Sequence, residues 1–192
     1  MASVVVSGDT SGSVTLSAPA VAGTTTLTLP TFNGTVGLLV SGTAVASTSG
    51  TSIDFTSLPT TARRITINFN NVSLSGTASF LVQIGNNTPT TSGYSAITTY
   101  NTGAGVGVLT STSGIPIQAG AATYLTYGSL VITNVSGNIW TASGVLGNTT
   151  TVTYTVNSSG IISLGSALNM VRITTTNGTD TFDAGTINIL YE

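Results

Sequence analysis

Apolar residues recur at every second position in stretch after stretch of this chain. Between Gly50 and Gly76, Ile53 and Phe55 alternate with polar neighbours. A turn is predicted at Ser57 to Thr61, around Pro59, and then Ile65, Ile67 and Phe69 alternate with Thr66 and Asn68. A period of two is what a half-buried β-strand needs, because successive side chains point to opposite faces. The stretch therefore reads as two strands joined by a proline turn, and the rest of the chain is organised around it.

The same alternation continues on both sides. Toward the N-terminus, Val14 with Leu16 and Leu27 with Leu29 alternate, Pro19 and Gly23 punctuate, and Asn33-Gly34 supplies a turn. Strands so short and so few do not enclose a core. Residues 1–40 thus read as an arm whose apolar side lies against another subunit or a larger surface, with the boundary at Ser41-Gly42.

In the body, 41–192, strands are predicted at Thr43 to Ser47, at Ser79 to Ile84, at Tyr124 to Tyr127, at Ser129 to Asn134 and at Asn138 to Ala142 around Trp140. Further strands follow at Thr151 to Val156, Met170 to Thr175 and Thr186 to Tyr191. Asn86 to Ser92 and the glycine-rich Gly103 to Gly107 are expected loops, Asn157 to Gly160 an expected turn, and Leu164 to Asn169 a single helical turn. About eight to ten strands at even spacing indicate an all-β protein, an antiparallel, jelly-roll-like β-sandwich preceded by a short β-rich arm.

Composition narrows the class. Charged residues make up 4% of the 192 residues, against roughly 25% in an ordinary soluble domain. Disordered chains show the opposite balance, poor in apolar residues and rich in charge, whereas 40% of this chain is apolar. Mean hydropathy is +0.43, yet no window approaches the uninterrupted apolar length of a membrane helix. Aromatics at 6% do not form the girdles of an outer-membrane barrel, so membrane insertion is not expected. Met1 to Asp9 carry no basic segment followed by an apolar core, which predicts synthesis in a cytoplasm without a secretory signal. A net charge of −2, with three basic residues that are all arginine, argues against nucleic-acid binding.

Chemistry is scarce. The chain holds no His, Cys or Lys, which removes the usual groups of acid–base and nucleophilic catalysis. Among the five acids, Asp180 and Asp183 lie three apart in a predicted loop and read as turn residues that bond their own backbone. The loop from Asn177 to Asp183 lacks a recognisable calcium-ligand spacing and reads as a solvated hairpin loop. No catalytic residue, metal or cofactor is expected. A sugar platform would draw on Tyr94 and Tyr100 with Asn86 and Asn87, although core or subunit packing is the plainer role for these aromatics, and for Trp140 above all. Asp54, Arg63, Arg64 and Arg172 are candidates for structural ion pairs, the arginines bridging to Asp54 or to an acid across a subunit boundary.

A β-rich chain this poor in charge lacks the usual protection of sheet edges, and a closed homo-oligomer is the expected remedy. Several segments carry a resemblance in the same direction. The arm G-D-T-S-G-S-V-T-L-S-A-P-A-V-A-G-T-T-T-L-T-L-P (Gly8 to Pro30), G-T-S-I-D-F-T-S-L-P with A-R-R-I-T-I-N-F (Gly50 to Phe69), L-V-Q-I-G (Leu81 to Gly85), T-S-G-Y (Thr91 to Tyr94) and the stretch from Arg172 to Glu192 resemble virion proteins of tailed bacteriophages. These are the fibre, head-fibre and capsid-decoration proteins. A bulky aromatic is expected in such proteins between the proline and the basic pair, where this chain has Thr60, Thr61 and Ala62. The resemblance implies a non-enzymatic homotrimer on the virion surface, made in the host cytoplasm. Residues 1–40 would dock on the major capsid protein or another virion protein, and the sandwich would project outward. The compact length favours a capsid cement or decoration protein, or a short head fibre; the alternative is a tail-fibre adhesin that binds host surface glycans.

Overall fold

The computed structural model describes residues 3–7, 11, 13–17, 37–101, 105–149 and 154–192. The chain divides into two units, Met1–Val36 and Gly37–Glu192. The first contains an antiparallel hairpin of β1 (Ser3–Ser7) and β2 (Ser13–Ser17), with Val5 opposite Thr15. The expected alternation at Leu27 and Leu29 and the turn at Asn33-Gly34 lie outside the described residues.

The second unit is an antiparallel β-sandwich. In chain order its strands are β3 (Val40–Ser41), β4 (Val45–Ala46), β5 (Ser52–Phe55), β6 (Arg64–Leu74), β7 (Phe80–Asn86), β8 (Thr88–Pro89) and β9 (Ser95–Asn101). There follow β10 (Val106–Ser111), β11 (Ile115–Ile117), β12 (Leu125–Ser136), β13 (Ile139–Thr149), β14 (Tyr154–Ser163), β15 (Met170–Thr175) and β16 (Phe182–Tyr191). The large sheet has nine strands, ordered β10-β9-β14-β13-β12-β6-β16-β3 with β4 also on β16. The small sheet has five, ordered β11-β7-β15-β5 with β8 also on β7.

The alternation seen in sequence is the burial pattern of the strands. Ile65, Ile67 and Phe69 of β6 are buried, as are Phe80, Val82 and Ile84 of β7, and together they join the hydrophobic core between the sheets. Phe80 holds the centre, with ring centroids 5.8 Å from Phe69 and 6.0 Å from Phe182. Burying each such side chain stabilises the fold by roughly 1.5–3 kcal/mol; the alternates of β6 stay partly exposed, whereas on β7 Gln83 is buried and its Nε2 donates to the Ser113 carbonyl at 2.8 Å.

The strands differ from the sequence expectation where pairing is long-range. The second unit begins at Gly37, earlier than the expected boundary at 41, because Val40 and Ser41 pair with Tyr191 and Leu190 and the Gly42 N–H bonds the Ile189 carbonyl at 2.8 Å. Asn157 to Gly160 does not turn the chain but runs through the middle of β14. Its inward Ser158 shares a hydrogen bond with Thr98 at 2.9 Å, so polarity that looks like a turn is satisfied inside the sheet. The predicted strands at Tyr124 to Tyr127 and Ser129 to Asn134 are one continuous β12. No helical turn forms at Leu164 to Asn169; the segment is an irregular loop with Leu164 and Leu168 buried.

The large sheet bends where β16 shifts register against β6, between Ala184 and Thr186. Gly185 occupies that shift with φ +89, and a Cβ there would lie 2.3 Å from the Asn71 carbonyl oxygen. Both the left-handed backbone and the contact with main chain exclude a side chain. Gly185→Ala is expected to cost at least about 2 kcal/mol, read as a lowered denaturant midpoint with unchanged slope.

Candidate functional site

The four candidate ion-pair residues are distributed over two places. Asp54 on β5 and Arg172 on β15 face each other in register, and the guanidinium donates two hydrogen bonds of 2.6 Å to the two carboxylate oxygens. These bonds hold the Arg172 guanidinium above its ordinary pKa. Arg64 pairs instead with Glu192 at 2.5 Å. Arg63 donates to the Asn134 Oδ1 at 2.9 Å, and its backbone N–H and that of Arg64 both bond the Glu192 carbonyl. Of the three arginines expected to bridge to Asp54, Arg172 does so, whereas Arg63 and Arg64 have other partners within the chain. The partner of Asp54 lies on the strand that pairs with β5, far along the sequence.

Asp54 and Arg172 are each about a third exposed, so solvent screens the pair despite its good geometry. Asp54→Asn is expected to lower stability by no more than about 1 kcal/mol. The difference from wild type should shrink when melts are repeated at high salt.

The four residues proposed for sugar contact are engaged elsewhere. Tyr94 is buried, and its hydroxyl accepts from the Ile84 N–H at 2.8 Å and donates to the Ile84 carbonyl at 3.2 Å. Burial pushes its pKa up to about 12. Tyr100 lies at the far end of β9, about 20 Å away along extended chain. Its ring covers Gly107, whose absent side chain makes the space, and packs 6.2 Å from Tyr154. Asn86 and Asn87 fasten the β7–β8 hairpin to the loop before β15. Asn87 N–H donates to Asn169 Oδ1 at 2.7 Å, Asn169 Nδ2 donates to Asn87 Oδ1 at 2.9 Å, and Asn86 Nδ2 donates to the Ala167 carbonyl at 2.6 Å. The tyrosines and asparagines thus form no common platform, and packing accounts for Tyr94 in full.

Trp140 is core, as its sequence context suggests, and its buried indole N–H has no hydrogen-bond partner among the described residues. Asp180 accepts the Ala78 N–H at 2.9 Å, and its own N–H bonds the Asn177 Oδ1 at 3.0 Å. The Ala78 N–H, and after it the Asn177 side chain, hold its carboxyl below the usual range. Asp183 instead accepts from the Ser73 hydroxyl on β6. The two acids serve separate local bonds, and among the described residues no three acids, His or Cys converge as a metal cluster would.

What the structure exposes is a surface. Alternation leaves one face of the large sheet outside, and most of the exposed large apolar residues of the second unit stand on it: Ile97, Val106, Val108, Val145 and Ile161 among them. Strands β10, β9, β14, β13 and β12 carry no charged side chain at all. The sheet edges also differ. β3 and β4 have two residues each, β11 and β8 are short and contain Pro116 and Pro89, and β5 carries Asp54. Short length, proline and charge are the devices that stop an edge from recruiting another strand. β10 has none of them: it is six residues long, flat in register with β9, uncharged and free of proline.

Sequence reasoning anticipated an exposed edge from composition but did not locate it. The location depends on strand order, which a single sequence does not display. No family model, curated protein or solved structure matches the chain.

Proposed function

We propose that this chain is a non-enzymatic structural subunit that associates with copies of itself on the surface of a tailed-phage particle, as a capsid decoration protein or short head fibre. The observation that carries self-association is the β10 edge, which pairs on its outer side with no strand among the described residues, beside an uncharged sheet face. A lone subunit would hold this edge in water with its N–H and C=O groups ready to pair with any strand that arrives. Assembly occupies it. The virion setting is supported by the resemblance of the arm and of the Gly50 to Phe69 stretch to phage virion proteins. Docking through residues 1–40 across junctions between coat subunits would stabilise the shell by linkage, since a ligand that binds the assembled state better than its parts favours assembly.

The test has two parts. Sedimentation of the purified full chain should give a mass that is a multiple of 19.1 kDa. Cryo-electron microscopy of particles from the source phage should show the sandwich projecting from the shell. A single-chain mass up to millimolar concentration would overturn self-association, and absence of the chain from purified particles would overturn the virion setting.

A further inference from the structure

On two neighbouring strands of the large sheet the usual polarity is inverted over a short stretch, although β14 on either side of it buries Val156 and Ile162 in the ordinary way. β9 and β14 turn small or polar residues inward, Ala96 and Thr98 on one and Ser158 and Gly160 on the other, and turn Ile97 and Ile161 outward. The inward side has a packing cause. β11 crosses close beneath, and a Cβ on Gly160 would stand 3.0 Å from both Ile115 and Ala96, so there is no room for a large residue. Nothing in the packing of the described residues requires isoleucine on the other side. Thr or Ser would satisfy an exposed strand position equally well.

Register shows that these residues are linked. Val108 lies opposite Thr99, and Ile97 is two residues from Thr99; Ile97 lies opposite Ser159, and Ile161 is two residues on; Ile161 lies opposite Thr141, and Ile139 is two residues back. Val108, Ile97, Ile161 and Ile139 therefore form one diagonal band across β10, β9, β14 and β13, each a diagonal neighbour of the next at about 7–8 Å. All four are exposed, from 37% at Ile139 to 55% at Val108. Val145 and Val131 begin a second band parallel to the first, and uncharged Thr, Ser and Asn side chains fill the space between them. Scattered exposed aliphatics are ordinary, but a connected band on a charge-free face marks a contact surface.

We infer that this banded face seats against a second copy of the chain, which rests on the self-association proposed above and names its surface. Charge selects the occupant. An anionic partner such as nucleic acid or acidic lipid would need cations, and these strands offer none. A partner with an ordinary charged surface would bury its charges unpaired. Another copy brings the same neutral bands, so the match leaves no charge stranded. Area is of the right order: the five charge-free strands at about 4.8 Å by about eight residues at about 3.3 Å make a plane on the order of 600 Å², most of the roughly 800 Å² per partner in a stable interface.

The experiment compares the masses of the full-length wild type, Ile97→Lys, Ile161→Lys, the double variant and, on a different strand, Val108→Lys. Ser166→Lys, in the exposed loop before β15, is the control for added charge. Each position is exposed, so circular dichroism and melting of the separated subunits should stay as in wild type. Wild type and control are expected to run as oligomers. The band variants should weaken association about a hundred-fold or more, because lysines are brought face to face in an apolar contact. Folded band variants that keep the wild-type mass would overturn this interface while leaving self-association standing. A wild type that is itself a single chain would overturn both, and loss of particle binding by such band variants would then assign the face to a different partner.

Discussion

Phe80→Ala is expected to remove about 3–5 kcal/mol of stability, the largest loss of any single truncation considered. The side chain has no solvent exposure, and its ring is flanked by Phe69 from β6 and Phe182 from β16, both on the opposite sheet. Truncation forfeits the transfer free energy of a benzyl group and leaves a cavity that these two rings fill only in part. Because the three rings bridge the two sheets, the loss falls on sheet-to-sheet packing and not on any one strand. Denaturant unfolding should show an earlier midpoint with an unchanged slope if the variant stays two-state. Phe80→Leu should recover more than half of the loss, since it restores most of the volume. A loss near 1 kcal/mol for Phe80→Ala would mean that the core around these rings is loosely packed, and the sandwich would need a different centre.

How far the sequence displayed this architecture depends on the range of the interaction concerned. Ile65, Ile67 and Phe69, like Phe80, Val82 and Ile84, announce their strands because burial on one face of a sheet imposes a period of two on adjacent residues. Polar punctuation was less dependable. Asn157 to Gly160 has the composition of a turn, yet Thr98 provides for Ser158 inside the sheet, and Asn157 and Ser159 are simply on the wet side. Leu164 to Asn169 lacks helix because its backbone bonds go elsewhere: the Leu164 N–H to the Asn138 carbonyl and the Asn169 N–H to the Gly85 carbonyl. Asp54 illustrates the same limit for charge. Its neighbours Arg63 and Arg64 were near in sequence, but the strand that lies beside β5 is β15, and only sheet order reveals that.

The interaction surface was hidden for a related reason. Ile97 stands three residues from both Tyr94 and Tyr100, so no period of two marks this strand in the sequence, and even a strand assignment does not say which set faces inward. β11 decides it, by packing against the small residues of β9 and β14 and leaving the isoleucines outside. The tyrosines that looked available for a sugar are the ones the fold consumes: Tyr94 to bond Ile84, Tyr100 to cover Gly107. An aromatic residue beside polar loops is a useful sign of recognition only when its hydroxyl and ring faces are free, and that is a property of the folded chain.

Asn148→Ala is expected to cost about 2–4 kcal/mol, more than the atoms removed would suggest. Asn148 has no solvent exposure. Its Nδ2 donates to the Gln118 carbonyl at 2.8 Å, and its Oδ1 accepts from the equally buried Thr126 hydroxyl at 2.5 Å. These bonds fix the segment after β11 to the inner side of β12 and β13, closing the sandwich near the Tyr124–Tyr154 contact, where the ring centroids are 5.7 Å apart. Alanine deletes one residue's polar groups but leaves the Gln118 carbonyl and the Thr126 hydroxyl without this partner, and an orphaned buried group bears its full desolvation cost. Pairing Asn148→Leu with Thr126→Val removes two members of the network together, so the double variant should be less destabilised than the sum of the singles. A thermodynamic cycle measures that difference. Tyr154 supplies an independent readout. Burial pushes its phenol up, and the hydrogen bond with the Asn148 side chain draws it partly back. Loss of that bond should move the Tyr154 ionisation to higher pH, visible in the ultraviolet titration of the folded protein. Additive single-variant losses with an unmoved tyrosine titration would show that Asn148 acts by volume alone and that the network does not hold β11 in place.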